Sequence, residues 1–207
     1  MPTAAPTSPY SFGFTAASLR PELVGVMAEL YFEHGGSWEK TQDAVLKTNA
    51  LQCRSSASAV RLEREIRQRL ETLSSVERAL LNTGTLETRV ALSWLAAVKR
   101  HSFLYDFAAE LLRSKIDLHD TVLRSSDYES FIEEKAVRHP EIEALSDTTS
   151  EKVRRVVLRM LREMSILVKG PELGSVTRPI IPPEVEDAIR ADNPRWLAAF
   201  LVSDAQI

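Results

Sequence analysis

A mainly α-helical fold is predicted by three features of the sequence. Glycine is scarce, at 7 of 207 residues, helix-capping residues recur along most of the length, and apolar residues between the caps repeat at spacings of three and four. The fold class that follows is a helical bundle with an N-terminal three-helix unit and a C-terminal winged helix-turn-helix carrying one β-hairpin. The boundaries drawn from the pattern are a disordered lead-in at 1–9, an N-terminal helical unit at 10–84, central packing helices at 85–120, and a winged-helix-like unit with C-terminal helices at 121–207.

The lead-in is rich in Pro, Thr and Ala and has neither the basic start nor the apolar stretch of a signal peptide. Pro21 suits the first turn of a helix, and Glu22–Phe32 follows with helical periodicity until His34-Gly35-Gly36 stops it. Ser37 caps the next helix, Trp38–Thr48. A short link leads to Ser55-Ser56 and a third helix, Ala57–Leu73, with Leu62, Ile66, Leu70 and Leu73 as its buried stripe. Ser74 and Thr85 read as further caps, and Asn82-Thr83-Gly84 closes the helix between them.

The middle of the chain is its most apolar part. Leu86–Lys99 and Ser102–Ile116 carry broad apolar faces, which suits helices packed on several sides. Ser126 is the expected cap of Asp127–Arg138, His139-Pro140 breaks that helix, and the polar stretch Ser146–Ser150 opens another reaching Met164. The period then changes: Ile166–Lys169 and Val176–Ile181 are β-branched runs flanking Gly170–Gly174, the pattern of a hairpin. Pro182-Pro183 opens a short helix, and Pro194 a last one through Val202.

Composition narrows the function classes. The formal net charge of -3 removes the simplest pointer to nucleic acid, so any DNA-binding argument rests on where the cations sit. Cys53 is the sole cysteine; it can form no disulfide within the chain, which suits an intracellular, cytoplasmic protein. The longest apolar runs fall far short of the ~20 residues a membrane helix needs, and no membrane partner is expected. The four histidines lack metal-ligand spacing, no glycine-rich phosphate loop occurs, and Glu129, Glu133 and Glu134 read as a solvated face. No enzyme, cofactor, metal or small-molecule substrate is predicted. Trp38, Trp94 and Trp196 sit among apolar neighbours and read as core.

The helix opening near Ser150 carries the sharpest signal. At ~100° per residue, Val153, Val156, Val157, Met160, Leu161 and Met164 share one face, and Lys152, Arg155, Arg159 and Arg162 share the opposite one over roughly 15 Å. Arg154 flanks this row, and Lys169 and Arg178 are expected in or near the hairpin. Thr148, Thr149 and Ser150 stand at the amino end, where helix geometry favours a phosphate. A basic face opposite an apolar one is also what a solvated amphipathic helix shows, but such faces usually mix signs, and only Glu151 and Glu163 border this one. A second basic stretch holds Arg54, Arg61, Arg64, Arg67 and Arg69, with Ser55, Ser56 and Ser58 at its amino end; Glu63 and Glu65 there also fit self-supporting ion pairs at helical spacing.

Four segments, taken in order, resemble a known family. They are Tyr10-Ser11-Phe12-Gly13-Phe14-Thr15 leading to Leu19 and Pro21; Arg54-Ser55-Ser56 with Arg61, Ile66, Arg69 and Leu70; Ala97-Val98-Lys99-Arg100-His101 into Leu104-Tyr105-Asp106-Phe107; and Ile181-Pro182-Pro183-Glu184-Val185. The chain is similar to the BrxA family of BREX bacteriophage-defence systems. The resemblance implies a helical fold likened to the antitermination protein NusB, binding of double-stranded DNA, and other BREX proteins as partners, among them a methyltransferase, an ATPase and an alkaline-phosphatase-like protein. It carries over no catalytic residue, and of the proposed contacts only Arg54, Arg61 and Arg69 fall at family-like positions. The expected function is therefore a non-catalytic, phosphate-gripping duplex-DNA binder. A protein–protein adaptor docking through the Asp127–Glu134 surface is the alternative, and RNA binding is a third reading.

Overall fold

A computed structural model describes residues 9–207; the predicted lead-in lies almost wholly outside them. After a 3-10 turn at Gly13–Ala16 come α1 (Pro21–Glu33), α2 (Trp38–Thr48), α3 (Ser56–Leu70), α4 (Ser75–Thr83) and α5 (Leu86–Arg100). A continuous helical rod follows, built from α6 (Ser102–Asp106), a π-helical segment (Phe107–Leu112) and α7 (Arg113–Asp117). Then come β1 (Val122–Leu123), α8 (Ser125–Ala136), α9 (Asp147–Glu163), β2 (Leu167–Val168), β3 (Gly174–Val176), α10 (Pro183–Asp192) and a 3-10 segment, Pro194–Phe200.

The N-terminal caps act as their chemistry dictates. Ser37, Ser55 and Thr85 each accept the backbone N–H three residues on, and Ser74 forms a reciprocal capping box with Glu77. Gly35 and Gly36, at φ +64° and +80°, turn the chain out of α1 where a side chain would be strained. The expected cap at Ser126 is displaced: α8 starts at Ser125, and the Asp127 carboxylate accepts the Arg124 N–H at 2.7 Å.

The hairpin is shorter than its β-branched runs suggested. The sheet has the order β1-β3-β2, all antiparallel, and past Val176 the chain leaves it, with Arg178 Nε donating to the Leu201 carbonyl at 2.9 Å. Strand β1 had no signature in the sequence, since two residues display no alternation. The final helix is 3-10 rather than α and ends at Leu201 in the left-handed region.

A continuous hydrophobic cluster runs from Phe14 and Met27 through Trp94, Phe103 and Phe107 to Leu161, Ile189 and Phe200. The α5 stretch Ala91–Val98 is buried throughout, placing that helix at the centre of the bundle. Trp94 is buried and donates its indole N–H to the Ala199 carbonyl at 3.0 Å. Trp38 and Trp196 are only half-buried, so core packing accounts for Trp94 more fully than for the other two.

Candidate nucleic-acid interface

Helix α9 has the two faces its periodicity predicts. Val153, Val157, Met160, Leu161 and Met164 are buried, while Arg155, Arg159 and Arg162 are exposed and Lys152 is half-buried. Among the described residues, Lys152 and Arg155 meet no carboxylate within ion-pair distance. Arg159 donates Nε to Glu163 at 3.0 Å, and Arg162 donates to the Leu173 carbonyl in the hairpin loop at 3.0 Å. Glu163 uses its other oxygen to accept the Leu19 N–H at 2.8 Å, bracing the end of α9 against the N-terminal segment.

Leu158 is buried although it falls outside the apolar stripe. It lies in a shallow depression among Arg154, Arg155 and Arg162, where long basic side chains cover apolar surface with their methylene stems. Arg154 leans on α8 while keeping 31% of its side chain exposed. It donates to Ser125 Oγ at 2.8 Å, approaches Glu129 at 3.8 Å, and sits over the Tyr128 ring. It therefore braces α8 against α9 while still flanking the basic row beside Arg155.

At the amino end of α9, Ser146 occupies the capping position, its hydroxyl within 3.0 Å of Thr149 Oγ1. Thr149 is half-buried and Ser150 exposed, both already within the first turn. Lys169 is exposed directly after β2. Arg178 follows β3 by two residues and is exposed, with its Nε donating to the Leu201 carbonyl at 2.9 Å and Nη1 to Gln206 at 3.5 Å.

The second basic stretch divides. Arg54, Arg61 and Arg64 are exposed, as is Ser55, which is occupied in capping α3. Arg67 is committed to Glu63 and Glu71, each at 2.9 Å. Arg69 is not a surface cation at all: at 1% exposure it donates to Glu65 at 2.8 Å, to the Ser18 and Ala17 carbonyls at 2.9 Å, and to that of Phe14 at 3.5 Å. Helical spacing cannot separate a cation facing water from one a turn away facing buried carbonyls, so the expectation of a DNA contact at Arg69 is corrected.

This buried network gathers several of the family-like segments. His101 lies between the Ser11 carbonyl, 3.1 Å from Nδ1, and Glu65, 2.8 Å from Nε2. Tyr10 donates to Asp106 at 2.6 Å and stacks on His139 at 3.6 Å. Burial pushes the Glu65 carboxyl up, but His101 and Arg69 outweigh it and leave the group below the usual glutamate range. The N-terminal segment is thus tied to α3, α5 and the α6 rod by hydrogen bonds that need those side chains at those positions.

Among the described residues, no group of three or more His, Cys, Asp or Glu side chains could hold a metal. Cys53 is half-buried beside the Leu51 carbonyl. No described helix is long and apolar enough to cross a membrane.

The family model for BrxA matches residues 8–193. The BREX protein BrxA of Paramagnetospirillum magneticum (strain ATCC 700264 / AMB-1) is 25% identical over 190 residues, covering 91% of this chain and 94% of that protein. The BREX protein BrxA of Bacillus cereus (strain H3081.97) is 21% identical over 152 residues, 73% and 76% of the two chains. A crystal structure of an uncharacterized protein from Magnetospirillum magneticum shares the fold, with a TM-score of 0.80 at 22% identity over 94% of this chain and 98% of that one.

Proposed function

The chain belongs to the BrxA family, whose members are part of BREX phage-defence systems, and from that premise we propose that it is a non-catalytic, cytoplasmic double-stranded DNA-binding component, gripping phosphates through the outer face of α9. The carrying observation is that Lys152, Arg155, Arg159 and Arg162 line one side of a helix whose opposite side is anchored in the core. Among the described residues, Lys152, Arg155 and Arg162 have no ion-pair partner, and only Arg159 is paired, with Glu163.

The element order supports a winged helix-turn-helix reading. The α6 rod, β1, α8, α9 and the β2-β3 hairpin follow one another, with β3 between β1 and β2. In that arrangement α9 is the recognition helix and Lys169 lies on the wing, where both can follow one groove of the duplex. Phosphate contacts hold and orient DNA without reading its sequence, so weak sequence preference is expected. Arg54, Arg61 and Arg64 on and before α3 form a second exposed basic surface.

A duplex titrated at several salt concentrations tests this reading. With four or five cations engaged, log affinity falls against log salt with a slope of about -4. An affinity indifferent to salt, or no binding to any duplex at low salt, would remove the proposal and leave the adaptor role among BREX proteins.

A further inference from the structure

A groove of about 470 Å³ lies away from α9, between the end of α5, the start of α6 and the C-terminal 3-10 segment. Two family-like segments line it, one through Ser11 and the other through Lys99, Arg100, Tyr105 and Asp106, and the C-terminal segment contributes Arg195 and Trp196. Volume alone makes it neither a nucleotide site nor a peptide site. Its chemistry is more selective.

On its C-terminal side the groove has an aromatic platform. Arg195 lies over the Trp196 ring at 4.1 Å, and Tyr105 meets Trp196 edge-on at 5.3 Å with ring planes at 84°. The Tyr105 hydroxyl donates to the Arg195 carbonyl at 3.3 Å, fixing the platform's backbone. Tryptophan and guanidinium planes both accept the π-face of a nucleobase.

The charges around the platform differ in availability. Lys99 is consumed, held at 2.7 Å by both Glu77 and Asp192, so it serves as a strut. Arg100 and Arg195 are exposed. The only side-chain hydrogen bond of Arg100 among the described residues is to the neutral Gln68, at 3.2 Å, and Arg195 has no carboxylate within ion-pair distance. Asp106 also lines the groove, half-buried, with Oδ2 accepting from the Tyr10 hydroxyl at 2.6 Å. A carboxylate near a stacking platform offers an acceptor for a base amino group.

The geometry points to a nucleotide-binding groove, taking one unit with its base against the Arg195–Trp196 platform and its phosphate toward Arg100 and Arg195. The volume of about 470 Å³ has room for a single nucleotide. The unit can be a free mononucleotide or an unpaired nucleotide of a DNA strand; both present the same base and phosphate. This inference is independent of the α9 reading, because it uses other residues on other elements.

The test is calorimetric titration with deoxyadenosine monophosphate, inorganic phosphate, deoxyadenosine and a six-nucleotide single strand. The strand is titrated into Arg155→Glu/Arg159→Glu protein so that α9 contributes little. Binding of the mononucleotide with a dissociation constant on the order of 100 µM is expected, with phosphate and the nucleoside each at least about tenfold weaker, since each keeps only half the contacts. Arg100→Ala and Arg195→Ala, both at exposed positions, should each weaken it about tenfold. A strand that binds through the same two arginines while the mononucleotide does not also supports the groove, and assigns it to unpaired DNA. No binding by either probe at millimolar concentration overturns the inference, as does binding that survives both substitutions.

Discussion

Arg69 and Glu65 form a 2.8 Å ion pair inside the bundle, the guanidinium 2% and the carboxylate 7% exposed. The remaining Arg69 nitrogens close the carbonyls of Phe14, Ala17 and Ser18, so one side chain fastens the N-terminal segment to α3. Burial pulls the Arg69 guanidinium below the usual arginine range, with Glu65 opposing that shift.

Removing this arginine should therefore act on stability. Arg69→Ala is expected to cost about 3–5 kcal/mol, because it strands the buried Glu65 charge and three carbonyls. Arg69→Lys should recover little, as an ammonium cannot reproduce the planar fork. Arg61→Ala, on the exposed face of the same helix, should stay within about 0.5 kcal/mol. Denaturant unfolding measures all three, and equal midpoints for Arg69→Ala and Arg61→Ala would refute the assignment.

The same pair predicts an acid response. Glu65 sits below its ordinary pKa in the folded state, so its contribution is present above the unfolded-state value of about 4.3 and is lost as pH falls through the folded one. At neutral pH Glu65→Gln should melt lower than the parent. The gap between them should close as pH is lowered through the acid limb. A gap constant with pH would mean that another carboxylate, such as Asp120, held near 2 by hydrogen bonds from Arg124 and Lys115, governs the acid response.

On α9, Arg155→Glu/Arg159→Glu should weaken duplex binding by on the order of a hundredfold at low salt and flatten the salt slope by about two. The loss should be similar for unrelated sequences, since phosphate contacts do not discriminate bases. Circular dichroism should be unchanged, because both side chains point away from the core. Full retention of binding would move the interface to Arg54, Arg61 and Arg64.

Gly174 opens β3 at φ +137°, and a Cβ there would stand 2.6 Å from the Val168 carbonyl oxygen. Gly174→Ala is expected to cost about 1–3 kcal/mol through backbone strain and this clash. The loss should concentrate in the hairpin, visible as faster amide exchange at Val168 and Val176. If the hairpin helps hold DNA, duplex affinity falls with it while α9 stays folded.

Helix positions were legible in the sequence because they follow from local chemistry. Trp38–Thr48 emerged with the bounds the pattern set, since a serine oxygen three residues ahead of an open N–H forms the cap without help from elsewhere in the chain. The two faces of α9 were legible for the same reason: 100° per residue sorts side chains by angle alone. Strand β1 was not, because it consists of two residues whose partner lies some fifty positions later. The partners of Arg154 and Arg178 were also beyond reach, since each is a group distant in sequence, Ser125 in one case and the Leu201 carbonyl in the other.

By itself the sequence determined that this protein is a capped helical bundle with one strongly basic helix face, because capping and periodicity are interactions between residues a few positions apart. Only the tertiary structure decided which cations remain available. Arg61 and Arg69 stand eight residues apart on one helix, yet one faces water and the other is buried among the carbonyls of Phe14, Ala17 and Ser18. Whether a charge meets solvent, a carboxylate or a buried carbonyl depends on the segments packed beside it, and that packing is set by long-range contacts that no local pattern encodes.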